Sequence, residues 1–251
     1  MRIEKISFPG RDVNCVFPRK HSDLEEAVSE LQLQTSCPVI VLIGGGIDEQ
    51  QSAVTRQAIQ AISRVAEDMN ASIICGGTDM GVMAEIGLVR WQNRYKFQLV
   101  GISLEELVAW PDGPASTKFL WWGKERWQLA EHYSHFILVP GEHFSEESPW
   151  IVETATILSK GSRSVTILIN GGEVSGTDIK LSLEHGRPVI ALSGTGRLAD
   201  ELDSQLNRNS LITMVPANSG ERIVAEIRAA LLDDGEAEAL NFETEKLSSF
   251  N

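Results

Sequence analysis

Seven short apolar runs, most of them dense in valine and isoleucine, recur along this chain: Val39–Ile43, Ile73–Cys75, Leu99–Ile102, Phe136–Val139, Val165–Ile169, Val189–Leu192 and Leu211–Val215. Continuous apolar runs are how strands covered on both faces read. Between them lie stretches with apolar residues three and four apart. One holds Val54, Ala58, Ala61, Ile62 and Val65. Others hold Val82, Met83, Ile86 and Val89, then Ile151, Ala155, Ile157 and Leu158, then Ile223, Ile227, Ala230 and Leu231. That is the spacing of one helix face. Such alternation implies right-handed crossovers and parallel pairing. The expected fold class is α/β: a doubly wound, mainly parallel, Rossmann-like sheet with helices on both faces, over residues 38–232.

Ahead of that core, Ile3, Ile6 and Phe8 precede the turn signal Pro9-Gly10-Arg11-Asp12, and Val13-Asn14-Cys15-Val16 follows. This predicts an N-terminal β-hairpin, with residues 1–37 packed on the core as an extension. Residues 233–251 are acidic and Ser-tailed and read as a flexible tail. The stretch Leu104 to Trp127 carries Trp110, Pro111, Gly113, Pro114, Trp121, Trp122 and Trp127. It reads as a long loop leading into a helix. Either the tryptophans cover a sheet edge or an oligomer interface, or the segment is a lid over a planar ligand, where Lys124 and Arg126 would meet an anion.

Charge narrows the partners. The 251 residues include 35 acidic and 22 basic side chains, a formal net charge of −13. Nucleic-acid binders show the reverse balance, so nucleic acid is not an expected partner. No run approaches the ~20 apolar residues of a spanning helix, and Met1-Arg2-Ile3-Glu4-Lys5 opens no hydrophobic leader, so membrane insertion is not expected. Cys15, Cys37 and Cys75 are an odd set without CxxC spacing, which argues against a disulfide framework or a zinc site and fits a cytoplasmic location. A single phosphate remains a possible ligand, because backbone N–H groups at a helix N-terminus hold one whatever the distant charge.

Five of the predicted strands end in glycine: Gly44-Gly45-Gly46, Gly76-Gly77-Thr78, Pro140-Gly141, Asn170-Gly171-Gly172 and Ser193-Gly194-Thr195-Gly196. In a parallel sheet these ends share one edge, and ligands bind beyond that edge at a topological switch point. Glycine permits tight turns and close backbone approach. The following helices would offer N–H groups and positive dipole ends. The rim suits a phosphate or ribose-phosphate, or simply reflects loops that need glycine. GxGxxG, GxxxxGK[ST], GxSxG and HExxH are all absent.

Thr78 and Asp79 stand where a helix begins: Thr78 as a cap or a phosphate donor, Asp79 as a cap or an acceptor for a ribose hydroxyl. Glu142, Glu146 and Glu147 with His143 have no recognised metal geometry, and no metal is expected. A glutamate there accepts from ribose hydroxyls or caps the helix near Pro149, with Ser148 as N-cap and Pro149 at N1. Trp150 stacks on a base or packs on its helix. Arg197 grips a phosphate or pairs with Asp200 one turn on. Arg187 reads as a loop charge, and His132 and His135 as structural.

Gly76-Gly77-Thr78-Asp79-Met80-Gly81-Val82-Met83 resembles the GGxxxG[LV]M segment of the lysine-decarboxylase-like, or LOG, proteins. Val139-Pro140-Gly141-Glu142 through Glu147-Ser148-Pro149-Trp150 is similar to the prokaryotic SLOG-in-TRPM family. So are Leu168-Ile169-Asn170-Gly171-Gly172, Gly186-Arg187-Pro188-Val189 and Gly194-Thr195-Gly196-Arg197-Leu198-Ala199-Asp200. That family is related to the cytosolic N-terminal domain of melastatin-type transient receptor potential channels. The resemblance covers Pro38 to Leu232 and implies a Rossmann-like fold that senses a nucleotide-derived ligand, with NAD- or ADP-ribose-related metabolites among the candidates. It adds Gly81, Val82 and Met83 to the candidate contacts.

One segment departs from the LOG pattern. LOG phosphoribohydrolases carry PGGxGTxxE, whose glutamate serves N-glycosidic cleavage. Here Glu142-His143-Phe144-Ser145 follows Pro140-Gly141, and the glutamate position is Ser148. The expectation is a ligand-binding sensor module without turnover, needing no cofactor, acting through a downstream effector protein and forming a homo-oligomer. The alternative is a nucleotide N-glycosidase using Glu153 or Glu147 as its carboxylate.

Overall fold

The computed structural model describes residues 1–47, 49–111, 113, 126–205 and 209–232, and of 203–205 the backbone alone. Residues 114–125, with Trp121, Trp122 and Lys124, and the expected tail 233–251 lie outside the described residues.

The parallel sheet follows the apolar runs. Its strands are β3 (Val39–Gly44), β4 (Ser72–Cys75), β5 (Leu99–Leu104), β8 (His135–Val139), β9 (Ser164–Ile169), β10 (Val189–Ser193) and β11 (Ile212–Pro216). The hairpin forms as β1 (Arg2–Phe8) and β2 (Arg11–Phe17), antiparallel. It does more than pack on the core. β2 pairs parallel with β8, from Asn14↔His135 to Val16↔Ile137, and extends the sheet. The nine-stranded order is β1-β2-β8-β5-β4-β3-β9-β10-β11. A separate parallel pair joins β6 (Val108–Ala109) to β7 (Trp127–Gln128).

Helices cover both faces. Strand side chains alternate between them: in β3, Ile40 and Leu42 face one core, and Val39, Val41 and Ile43 the other. The first core takes α2 (Ser52–Asp68), α3 (Gly81–Gln92) and α7 (Gly220–Leu231), through Ile59, Ile62, Ile86, Ile223 and Ile227. The second takes α1 (Leu24–Glu30), α4 (Ser148–Leu158), α5 (Glu173–Glu184) and α6 (Arg197–Gln205), through Leu24, Ile151, Leu158, Ile179 and Leu202. Each fully buried isoleucine or leucine contributes about 1.5–3 kcal/mol relative to exposure. Among the described residues, no helix is long and apolar enough to cross a membrane. The three cysteines are free and buried.

Candidate functional site

After β3 the chain lays β4, β5 and β8 on one side, then crosses to β9, β10 and β11 on the other. The winding therefore reverses between β3 and β9. Crossovers leave from opposite faces there, and a crevice opens beyond the strand ends. A cleft of about 370 Å³ occupies this position and reaches across the ends of β4 and β5. Of the residues singled out in the sequence, Gly44, Gly45, Gly46, Gly76, Thr78, Met83, Glu147, Gly172 and Arg197 line it.

Arg197 forms one end. A Cβ at Gly172 would collide with its guanidinium, and one at Gly45 would sit 3.4 Å from Nη1. The guanidinium thus lies against two backbones: closely at Gly172, where a Cβ would push it aside, and in ordinary contact range at Gly45. No described residue offers it an ion pair. Asp200 does not pair with it: its carboxylate accepts from the N–H groups of Gly194 (2.6 Å) and Gly196 (2.9 Å). This holds the loop in which Arg197 adopts a left-handed φ of 50°.

Two of the expected N-terminal anion cradles are closed. At α3, the Val82 N–H donates to the Gly45 carbonyl. At α6, the N–H groups of Leu198 and Ala199 donate to the carbonyls of Gly171 and Asn170. At α5 the Gly172 N–H donates to Ser175 Oγ, and carbonyl bonding begins with Gly176 N–H to Gly172. Among the described residues, no carbonyl from a neighbouring strand end takes the amides of Glu173 and Val174, as at a free helix start. These amides lie beside Arg197 at the switch point.

The other end of the cleft is acidic and apolar together. Glu147 and Asp178 line it with Leu104, Leu107, Val108 and Ile151. Burial pushes the Glu147 carboxyl up to about 7, with the Asp178 charge adding to the rise. Burial pushes Asp178 up to about 6, and the Ser148 hydroxyl offsets part of this. The Glu147 carboxylate accepts from the Ser145 N–H (3.0 Å), where Ser145 adopts a left-handed φ of 88°. Asp178 Oδ1 and Ser148 Oγ are buried without a hydrogen-bond partner among the described residues. Perturbed carboxyls in a cleft are the kind of group that binds or transfers protons.

Other candidates sit elsewhere. Trp150 is buried and stacks on His21, with centroids 4.0 Å apart. Glu153, on the same helix, pairs with His21 Nδ1 and does not line the cleft. Asp79 faces a separate groove with Phe8, Pro9 and His132. Its N–H donates to the Gln128 carbonyl, and Thr78 forms an isolated antiparallel bridge to Leu129, so this stretch is tied to residues 128–129 ahead of α3. Thr78 Oγ1 faces the Met83 sulfur at 3.4 Å. Gly77 packs against Gly101 and Phe136, Gly81 against Gly45, and Val82 against Gly44. Gly141 packs on Leu104 and Glu146, and the Glu142 N–H donates to Glu146. Asn170 and Thr195 interlock β9 and β10: the Asn170 N–H donates to Thr195 Oγ1 (2.8 Å), and Asn170 Nδ2 donates to the Thr195 carbonyl (3.0 Å). Gly171, Gly194 and Gly196 shape these turns with positive φ. Arg187 is not a loop charge. It is 4% exposed and bonds Ser164, Thr156 and the Val152 carbonyl.

The sequence reading missed Asp178, Ser175, Ser103 and Leu107 as cleft-lining residues, whereas Trp127, from the segment read as a possible lid, does line it. Asp178 and Ser175 left one usable signal: polar residues one turn apart on a segment that topology requires to be a crossover helix.

Among solved structures, the chain is similar to the X-ray structure of the structural-genomics target TM1055: 20% identity, TM-score 0.54, covering 76% of this chain and 99% of that one. It is also similar to the molybdenum cofactor carrier protein of Chlamydomonas reinhardtii: 17% identity, TM-score 0.51, covering 77% of this chain and 99% of that one. These likenesses agree in fold. No curated protein matches the chain. The family described as SLOG in TRPM, prokaryote, matches residues 37–240. The chain belongs to this prokaryotic SLOG-in-TRPM family.

Proposed function

We propose that this chain is a ligand-binding sensor module that takes a phosphorylated, nucleotide-type small molecule at the β3/β9 crevice and holds it without turnover. The observation that carries this reading is Arg197. Its guanidinium, without an ion-pair partner among the described residues, lies against Gly172 and Gly45 beside the first amides of α5, which no strand-end carbonyl takes among the described residues. A planar cation next to N–H groups at a helix start is suited to a phosphate. Family membership supports a nucleotide-derived ligand, and a fold neighbour named as a cofactor carrier is compatible with binding as the activity. Binding would be read out by an effector protein or by a change in homo-oligomer assembly.

Calorimetry with AMP, ADP-ribose and ribose 5-phosphate tests the reading. Arg197→Ala should weaken each by roughly 1.5–3 kcal/mol, the range for hydrogen bonds to charged groups, and leave adenosine unaffected. Equal loss for adenosine would mean that Arg197 supports the fold rather than a phosphate.

One observation favours hydrolysis as a second reading. The Glu147 carboxyl lines the cleft and is held at about 7, where a general acid works at neutral pH. Incubation with AMP and NAD followed by assay for released base separates the readings. Release that Glu147→Gln stops, with binding retained, would replace the sensor by an N-glycosidase. Glu153, turned away on His21, is not the carboxylate this second reading uses.

A further inference from the structure

The cleft contains a buried acceptor that the described residues leave unmatched. Asp178 is 8% exposed, lines the cleft, and its Oδ1 has no hydrogen-bond partner among the described residues. Ser148 Oγ, fully buried at the start of α4, neighbours the Asp178 carboxyl without forming a well-aligned hydrogen bond to it, and likewise has no partner among the described residues. Buried polar groups are nearly always satisfied, and those that are not call for an explanation. A fold that needed only to pack α5 would place an apolar residue at 178, as it does with Ile179 beside it. The wall shared with Asp178 sets the Glu147 carboxyl among the apolar side chains of Leu104, Leu107, Val108 and Ile151. An apolar slot ending in a few fixed polar groups recognises a flat ring and sets its orientation. A carboxyl acceptor selects a ring whose edge carries N–H and turns phosphate away.

We infer that Asp178, assisted by Ser148, is a base-recognition subsite for an amino-substituted aromatic heterocycle, whose N–H donates to Asp178 Oδ1. This rests on the phosphate reading above, which places the other end of the same ligand at Arg197. The two ends suit one molecule. Asp178 lies five residues beyond Glu173, about 7.5 Å along α5 at 1.5 Å per residue, room for a sugar between phosphate and ring.

The test compares four probes by calorimetry: AMP, purine riboside 5′-monophosphate (which lacks the amino group), ribose 5-phosphate and adenosine. AMP should bind at least tenfold tighter than the deamino analogue. Asp178→Leu should bring that ratio within twofold, leave ribose 5-phosphate binding unchanged, and raise the Tm because an unmatched buried carboxyl is gone. Asp178→Asn keeps the shape with a neutral acceptor and should cut the ratio several-fold, which tests the inference even where the leucine variant folds poorly. A wild-type ratio within twofold, or a ratio that survives both substitutions, overturns the inference. If ribose 5-phosphate binds through Arg197 while the amino group makes no difference, only this inference falls. If adenosine binds through Asp178 but ribose 5-phosphate does not bind, the phosphate reading falls instead. If none of the probes binds, both fall.

Discussion

A methyl group at Gly172 would meet a movable partner, whereas one at Gly77 would meet a fixed one. At Gly172 the obstacle is the tip of Arg197, which can swing into solvent. At Gly77 it is the Cα of Gly101 at 2.8 Å and the Phe136 ring at 3.1 Å, with φ at +80°. Gly172→Ala should therefore fold normally, shifting stability by under about 1 kcal/mol as for most substitutions outside tightly packed positions, yet bind ribose 5-phosphate about tenfold more weakly. Gly77→Val should destabilise by roughly 3 kcal/mol or more, the scale of overpacking combined with backbone strain. Thermal melts alongside calorimetry separate the two effects, and normal binding by a stable Gly172→Ala would remove Arg197 from the site. The glycine runs were legible as rims of the sheet edge. Which glycine opens toward the cleft and which admits a neighbouring chain segment was not, because that depends on side chains distant in sequence such as Phe136 and Val82.

At the scale of elements, the helices with apolar stripes were legible and α5 was not. Its inward face carries Ser175, Asp178 and Ser182 with Ile179 as the apolar member, so no continuous stripe marks it. A helix that lines a polar cleft gives up the periodicity that would announce it, which is why local rules fail first at functional positions. The helix starts show a related limit. At α3 and α6 the first amides are taken by carbonyls from neighbouring strand ends, whereas among the described residues no such carbonyl reaches the start of α5. At α6 the anchor is Asp200, bonded to the amides of Gly194 and Gly196. Asp200→Ala should cost about 1 kcal/mol, the typical value of a helix-cap side chain. It should also weaken phosphate binding several-fold, because the left-handed Arg197 loses its support. Asp200→Asn keeps one acceptor oxygen and should recover part of both effects. Urea denaturation and calorimetry of the two variants check this, and a stability loss with full phosphate affinity would show that the loop does not position Arg197.

For the whole molecule, the carboxyl pair in the cleft should set how stability responds to pH. Glu147 is raised from an ordinary 4.5 to about 7, and Asp178 from 3.8 to about 6, both chiefly by burial. Between the ordinary and raised values the folded chain holds protons that the unfolded chain has released. Stability then falls as pH rises, by about 1.4 kcal/mol per pH unit for each such proton. The contribution is fully present below about pH 3.8 and lost by about pH 7.5. His135 runs the other way. Burial lowers it from 6.5 to about 4, so its contribution is lost as pH falls through that window. Wild-type stability alone therefore mixes opposing slopes, and the difference from a variant isolates the cleft. Glu147→Gln combined with Asp178→Leu leaves His135 unchanged. Its stability gain over wild type should be at its minimum below about pH 3.8, grow from there, and level off near pH 7.5 at the order of 2 kcal/mol or more by the same linkage. The net charge of −13 adds general repulsion at high pH, but the substitutions alter it by at most two charges. The gain should therefore follow the titration of these two groups rather than keep rising to pH 9. Denaturation midpoints at pH 4, 5.5, 7 and 8.5 for both proteins give the curve, and a gain independent of pH would mean that neither carboxyl titrates in the folded cleft.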